Sequence, residues 1–441
     1  MLPKRYRPSA AALAAALALG LMHAAEAQSL QEIYEAAHAF DATYLAARAL
    51  AQSAEYRVEQ VEALARPSVA ATVGASTAQG DFPIVGTGDT NSRQAGINGR
   101  YPLFNRANRA TIEQARKSLE TSRADLESAE QDLIVRVAQA YFDVLAAQDT
   151  LGTTQASKAA ITEQLASAKR NFEVGTATIT DTREAQARFD LATAQEIAAD
   201  NDLLTKRIAL DQLVGRAGVA PKPLLIPVVL PDTAPANVEE WVSVADLQHP
   251  NVLRARVGMA VAQLETTKAK AGALPTLDAV ASIGTSYARG IAVSLPGTTS
   301  SASVGVQMNW PLYTGGATQN RIKETLVLEE KSRNDLEAAR RGVAQGTRVA
   351  WFGVQSGVAQ VKALEAAEAS SKLALEATQL GYKVGVRVNL DVLNAQTQLF
   401  QTRRDLEKAR YDVLVGGLKL RQASGRLTPD DVAAANRLLT P

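Results

Sequence analysis

Cysteine and histidine carry much of the metal, redox and acid–base chemistry of proteins, and this chain is poor in both. Its 441 residues include no cysteine and three histidines. His38 and His249, the two beyond the first 27 residues, have no second histidine or cysteine at ligand spacing. Isolated imidazoles of this kind predict neither a metal site nor a cofactor. There is no nucleophile elbow, no histidine-plus-acid constellation and no Walker-type phosphate loop, so the expectation is that the protein is not an enzyme. The distinctive residues that recur are of another kind. Tyr101-Pro-Leu-Phe104 returns as Trp310-Pro-Leu-Tyr313, and Val174-Gly175 followed by Asp181 returns as Val384-Gly385 followed by Asp391, 209 to 210 residues later. The chain is an internal duplication whose repeated parts are element boundaries, which makes the duplication architectural.

Residues 1–27 read as a secretory leader. Lys4, Arg5 and Arg7 form a positive start, Ala11 to Leu21 an apolar run too short to span a bilayer, and Ala25-Glu26-Ala27 a small-residue cleavage motif before Gln28. Its removal takes away those three positive charges and Glu26, bringing the formal net charge from +1 to −1. Binding to nucleic acid needs a strong basic excess, so it is not expected. Without cysteine the exported chain holds together with no disulfide, and no lipidated cysteine can follow the leader.

Periodicity divides the rest into two repeats, 28–215 and 237–426, joined by a connector, 216–236, with prolines at 221, 223, 227, 231 and 235, and followed by a tail, 427–441. Each repeat opens with a helical stretch; in the first, Gln28 to Ala65 has no glycine or proline. Two alternating segments follow, expected as strands over about 67–78 and 94–104, and over about 275–288 and 302–313. Val69, Ala71 and Val73 alternate with small or polar residues, as do Ile97 and Tyr101, Leu277 and Ile283, and Val304, Val306 and Met308. The polar, glycine-rich stretch Gly80 to Ser92 reads as a loop.

Ten-residue strands with one apolar face suit a lipid-facing barrel, and equally a half-buried soluble hairpin. Four strands cannot close on themselves, and open edges in hydrocarbon would leave backbone groups unsatisfied. Several protomers must therefore share one barrel if the strands enter a membrane. Eight strands would leave a filled interior and twelve or more a lumen. Tyr101, Phe104, Trp310 and Tyr313, at the ends of strands two and four, are candidates for an aromatic girdle.

Each strand pair leads into a long helix, expected over 105–173 and 316–383. In the first, Ile112, Leu119, Leu126 and Leu133 recur every seven residues. At 1.5 Å per residue such a helix is roughly 100 Å long. Tight turns at Gly175 and Gly385 reverse it into return helices, 177–215 and 389–425, for which Thr180 or Asp181, and Asn389, are the capping candidates.

The duplication, the two strand-to-helix junctions and the run from Tyr382 to Gln396 together resemble the TolC-like outer-membrane channel family, over essentially all of the mature sequence. The resemblance implies a mixed α and β membrane protein: a homotrimer whose four transmembrane strands per protomer build a twelve-stranded β-barrel in the Gram-negative outer membrane, continued by an α-helical coiled-coil barrel through the periplasm. It implies a passive exit duct serving a periplasmic membrane-fusion adaptor and an inner-membrane pump or ABC transporter, for drug efflux or type I protein secretion. The alternative is a soluble periplasmic coiled-coil scaffold. The residues matching the family's periplasmic gate latch are Thr180, Asp181, Tyr382 and Arg387, all of which could instead be capping and solvated tip residues. Asp391 matches an inward-facing acidic ring at the constriction, with helix capping as the competing role. A second acidic position one turn on is Asn394 here, which weakens the expected cation filter. The adaptor is expected at the tips, around Val174, Gly175, Thr176, Val384, Gly385 and Val386.

Overall fold

The computed structural model describes residues 27–83, 86–228, 230, 234–290 and 296–440. The expected leader lies outside the described residues except for Ala27. The elements are α1 (Leu30–Phe40), α2 (Ala42–Glu62), β1 (Ser68–Phe82), β2 (Gly86–Phe104), α3 (Arg106–Glu173) and α4 (Ile179–Val214), then α5 (Val238–Gln248), α6 (Pro250–Ala271), β3 (Thr276–Gly290), β4 (Gly297–Asn309), α7 (Ala317–Lys383), α8 (Asn389–Ala423) and a terminal α9 (Pro429–Asn436). The order helix, helix, strand, strand, long helix, return helix thus occurs twice.

Each opening helical stretch, expected as a single helix, is broken into two. Asp41 ends α1 with an extended ψ of 115°, and its carboxylate accepts the Tyr44 N–H at 2.7 Å, so it caps α2. In the second repeat His249 ends α5 and Pro250, which has no N–H to leave unsatisfied, starts α6. His38 sits beside this first break, its ring 4.4 Å from that of Tyr44 and 5.8 Å from that of Tyr34.

The chain separates into two compact units. One comprises Met1–Ala46, Ser128–His249 and Val343–Pro441, as far as these stretches are described. Its core is built from the middle of α3 (Leu133, Ile134, Val137, Tyr141, Phe142) with α1 (Leu30, Ile33, Ala37), α4 (Leu203, Leu210) and α8 (Leu414, Leu418, Leu420), all buried. The connector and tail are tied into this unit. Tyr141 donates its hydroxyl to the carbonyls of Gln28 and Lys222 at 3.1 and 2.9 Å, and Leu224 forms a bridge with Leu439. Arg136 holds the nearly buried Asp41 through two hydrogen bonds of 2.8 and 3.0 Å.

The other unit, Ala47–Glu127 and Pro250–Gly342, contains one antiparallel sheet in the order β1-β2-β3-β4. The strands are longer than expected at the hairpin end. Gly80 to Ser92, expected as a loop, is strand up to Phe82 and again from Gly86, with Gln79 opposite Asp89 and Asp81 opposite Thr87. Polar side chains there pair across the ladder, Ser76 with Ser92 at 2.7 Å and Thr77 with Asn91 at 2.6 Å. Loss of apolar alternation marks where apolar contact stops; backbone hydrogen bonding continues beyond it. At the opposite end β4 stops at Asn309, earlier than expected, because Pro311 has no N–H for the ladder. Trp310 and Tyr313 therefore lie beyond the strand, whereas Tyr101 and Phe104 are within β2.

Candidate functional site

The ladder registers place the side chains of the sheet in rows. Val69, Gly99, Ala281 and Val304 form one row, and Ala71, Ile97, Ile283 and Ala302 the next. Tyr101, Ala279 and Val306 lie on one side of these rows, with Leu277 and Met308 beyond; Val73, Ala95, Thr285 and Ser300 lie on the other. All share one face, since successive side chains of a strand alternate. This face is apolar and uncovered in the protomer: Val304 is 89% exposed, Val73 86% and Ile283 60%. The opposite face carries Thr72, Asn98, Arg100, Ser282 and Ser303, with Ser282 and Ser303 bonded at 2.8 Å and Arg100 paired with the nearly buried Asp278 at 2.6 Å. Only one Asp278 oxygen is used; Oδ1 is buried without a partner. Among the described residues β1 and β4 each present one edge with no strand partner. Among the described residues no helix is long and apolar enough to cross a membrane.

The helical tips are two copies of one turn. Gly175 and Gly385 have φ of 77° and 76°, the left-handed conformation that glycine adopts without strain. At the first, Gly175 and Thr176 donate to the carbonyls of Phe172 and Asn171 at 3.0 and 2.8 Å; at the second, Gly385 and Val386 donate to those of Tyr382 and Gly381 at 3.1 and 2.9 Å. These are the paired bonds that close a helix C-terminus. Val174, Thr176, Val384 and Val386 are exposed at the turns.

The return helices are capped differently from expectation. Thr178, not Thr180, is the cap of α4: its hydroxyl accepts the Asp181 N–H at 3.2 Å, while Asp181 accepts the Thr178 N–H at 2.9 Å and its hydroxyl at 2.7 Å. Asn389 is not a cap either. It is the first residue of α8, buried, and its Oδ1 accepts from Gln164 of α3. Residue 388 is a valine with no side-chain oxygen, so Asp391 supplies the carboxylate, accepting the Val388 N–H at 3.4 Å.

Within one protomer the four residues expected to form a latch do not meet one another. Asp181 is engaged with Thr178, and Thr180 is exposed. Tyr382 accepts a hydrogen bond from Asn171 of α3 at 3.1 Å, and Arg387 lies 3.6 Å from Asp391 on its own turn. The side chain of Arg387 folds over Gly381, where a β-carbon would stand 2.8 Å from its Cγ. Asn394 accepts from Arg188 of α4 at 2.9 Å. Beneath these contacts Leu393 is fully buried among Ile161, Leu165, Ala168, Ala185 and Ala192. Gln164, Asn171 and Arg188, the hydrogen-bond partners of Asn389, Tyr382 and Asn394, are not among the residues expected from the sequence. A signal existed in the difference between repeats: at the positions of Tyr382, Arg387 and Asn394 the first copy has Phe172, Ala177 and Glu184.

A third cluster, also unanticipated, lies where α3, α7 and α8 meet. Tyr411 donates to Asp149 at 2.5 Å, Thr153 to Glu407 at 3.4 Å, Arg403 to Glu368 at 2.8 Å and Arg410 to Glu365 at 2.9 Å. Burial, reinforced by the charge of Asp149, pushes Glu407 up to about 7. Burial likewise raises Asp149, against the Tyr411 hydrogen bond that lowers it.

The sequence profile of the Outer membrane efflux protein family matches residues 12–216 and 241–426. Outer membrane protein TolC of Vibrio cholerae is 33% identical over 422 residues, covering 95% of this chain and 96% of its own. Alkaline protease secretion protein AprF of Pseudomonas aeruginosa is 34% identical, covering 76% and 69%. In fold the chain is similar to the crystal structure of CusC, with a TM-score of 0.78 and 19% identity over 90% of this chain and 92% of that one.

Proposed function

The chain belongs to the Outer membrane efflux protein family, and from that premise we propose that it is the outer-membrane exit duct of a tripartite efflux pump or a type I secretion system. The observation that carries this reading is the sheet: four strands with one continuous apolar face, one polar face and two unpaired edges. Hydrocarbon tolerates such a sheet only if the edges are closed, so β1 of one protomer would pair with β4 of the next. Three protomers would close twelve strands, enough for an open lumen lined by the polar face. Leu277 to Tyr287 spans about 34 Å along β3. At the usual barrel tilt of roughly 40° that rises about 26 Å, close to the apolar band of outer-membrane barrels. A soluble scaffold has no use for this exposed face.

The polar contents of such a duct would be driven by its partners, an inner-membrane pump or ABC transporter linked through a periplasmic adaptor docking at the tips around Gly175 and Gly385. In the trimer Thr180 and Asp181 of one protomer would meet Arg387 of its neighbour, with Tyr382 holding the two hairpins of each protomer together through Asn171. Exposed pairs of this kind contribute about 0 to 1 kcal/mol each, so a few per protomer hold the entrance closed and still yield to adaptor binding. Three Asp391 carboxylates would ring the constriction. Each has Arg387 beside it and Asn394 one turn on, so the preference for cations should be modest.

Single-channel conductance in a planar bilayer tests this reading. The wild type should give a small, weakly cation-selective conductance that rises several-fold in a Tyr382→Phe, Arg387→Ser double variant. Equal conductance from both proteins would discard the latch, and no channel from either would discard the duct. Crosslinkers at Thr176 and Val386 should capture the adaptor in cells; their failure would remove the tip as its docking site.

A further inference from the structure

The apolar face of the sheet ends abruptly toward the hairpin turns. The row after Val73, Ala95, Thr285 and Ser300 is Ala75, Arg93, Tyr287 and Thr298, and the next contains Thr77, Asn91 and Arg289. Arg93 stands directly opposite Tyr287 and Arg289 opposite Asn91, so the two arginines are diagonal neighbours on one face, about 7 Å apart. Both are exposed, and neither has a carboxylate within ion-pair distance among the described residues. The acids on that face, Asp89 and Asp81, lie closer to the turn, and Asp81 accepts from the Thr87 hydroxyl at 3.1 Å. A shallow depression at this level of the sheet is lined by residues 75–77 and 91–93 together with Tyr287 and Arg289, so that Ser76 and Ser92 of the opposite face also border it.

We propose that Arg93 and Arg289, with Tyr287 beside them, bind the phosphate groups of the phosphorylated glycolipid in the outer leaflet. The proposal rests on the sheet being a barrel wall whose apolar face meets lipid and whose hairpin turns lie at the end opposite the strand-to-helix junctions. On that wall the two guanidinium groups sit at the upper limit of the apolar band, the level of the lipid headgroups. A guanidinium fork matches a phosphate with two parallel hydrogen bonds, and an aromatic ring at the same level fits the boundary between acyl chains and headgroups. Threefold repetition would place six arginines around the barrel, a belt at one height. Arginines placed merely to reach water would have no preference for phosphate.

The test uses full-length trimers in detergent, presented with bisphosphorylated lipid A or with the same lipid after phosphate removal, with bound lipid counted by native mass spectrometry. The wild type should prefer the phosphorylated form about tenfold, and an Arg93→Gln, Arg289→Gln double variant should lose that preference. Equal binding of the two lipids by the wild type, or an unchanged preference in the variant, would overturn the site. Channel conductance is recorded on the same preparations. A variant that conducts like the wild type but has lost the preference supports the site, whereas a wild type that never conducts overturns the barrel reading and the site with it.

Discussion

Ile283 and Ser282 are consecutive residues of β3 on opposite faces of the sheet, which makes arginine substitution at the two positions a direct test of which face meets lipid. Ile283 lies between Ile97 and Ala302 in its row, and Ser282 shares a 2.8 Å hydrogen bond with Ser303 on the polar side. From Leu277, at the lower limit of the band, Ile283 is about 20 Å along the strand, or roughly 16 Å up a band of about 26 Å, close to the middle. A lipid-facing arginine at that depth costs about 2–4 kcal/mol per protomer. Ser282→Arg forfeits one hydroxyl hydrogen bond and keeps its charge in the lumen, a cost of about 0.5–1.5 kcal/mol. The difference, about 2 kcal/mol, is roughly thirtyfold in an equilibrium constant. The assay is urea unfolding of trimers in phosphatidylcholine vesicles, followed by tryptophan fluorescence. Ile283→Arg should move the midpoint down strongly and Ser282→Arg only slightly. Equal costs, or a larger one for Ser282→Arg, would refute the assignment of faces.

Glu407, lifted to about 7, binds more protons in the folded than in the unfolded chain between pH 4.5 and 7, so its contribution to stability falls as pH rises through that window. Glu407→Gln should therefore stabilise the protein at pH 8 by about 1–2 kcal/mol, a value reduced for the half-exposed carboxylate, and change little at pH 4.5, as read by chemical denaturation. Asp41 is held below the usual carboxylate range by the hydrogen bonds of Arg136, so that its stabilisation is present at neutral pH and lost as pH falls through its lowered value. Asp41→Asn should cost about 2 kcal/mol at pH 7 and flatten the acid limb of the stability curve. Gly215 has φ of 75°, and a β-carbon there would stand 2.5 Å from the Phe40 ring, whereas Gly218, with φ of 80°, faces open space. Thermal melts should register about 2–4 kcal/mol for Gly215→Ala and about 1–2 for Gly218→Ala, the difference being the displaced ring.

Features governed by neighbours in sequence could be read from the chain alone. The long helices extend over 106–173 and 317–383 because no proline interrupts them, and they end where glycine supplies the left-handed turn, within a residue or two of expectation. The apolar faces of the strands follow from alternation, and the registers align them in common rows. Other local patterns have two structural outcomes. Polar residues at 80–92 suit a loop or a strand beyond the apolar band, and ladder pairing decided for strand. The break at Asp41 depended on a carboxylate finding both the Tyr44 amide and Arg136, 95 positions away. At the tips, residue types suggested polar contacts without their partners: Tyr382 meets Asn171 and Asn389 meets Gln164, each more than 200 residues apart. Period and punctuation are legible in the chain because they arise from backbone preferences acting within a few residues, and the duplication because the same residues recur 209 to 210 positions on. Strand register and the pairing of side chains between hairpins needed the folded chain, because a hydrogen bond requires atoms to come within about 3 Å and nothing in local sequence specifies which distant segment arrives there.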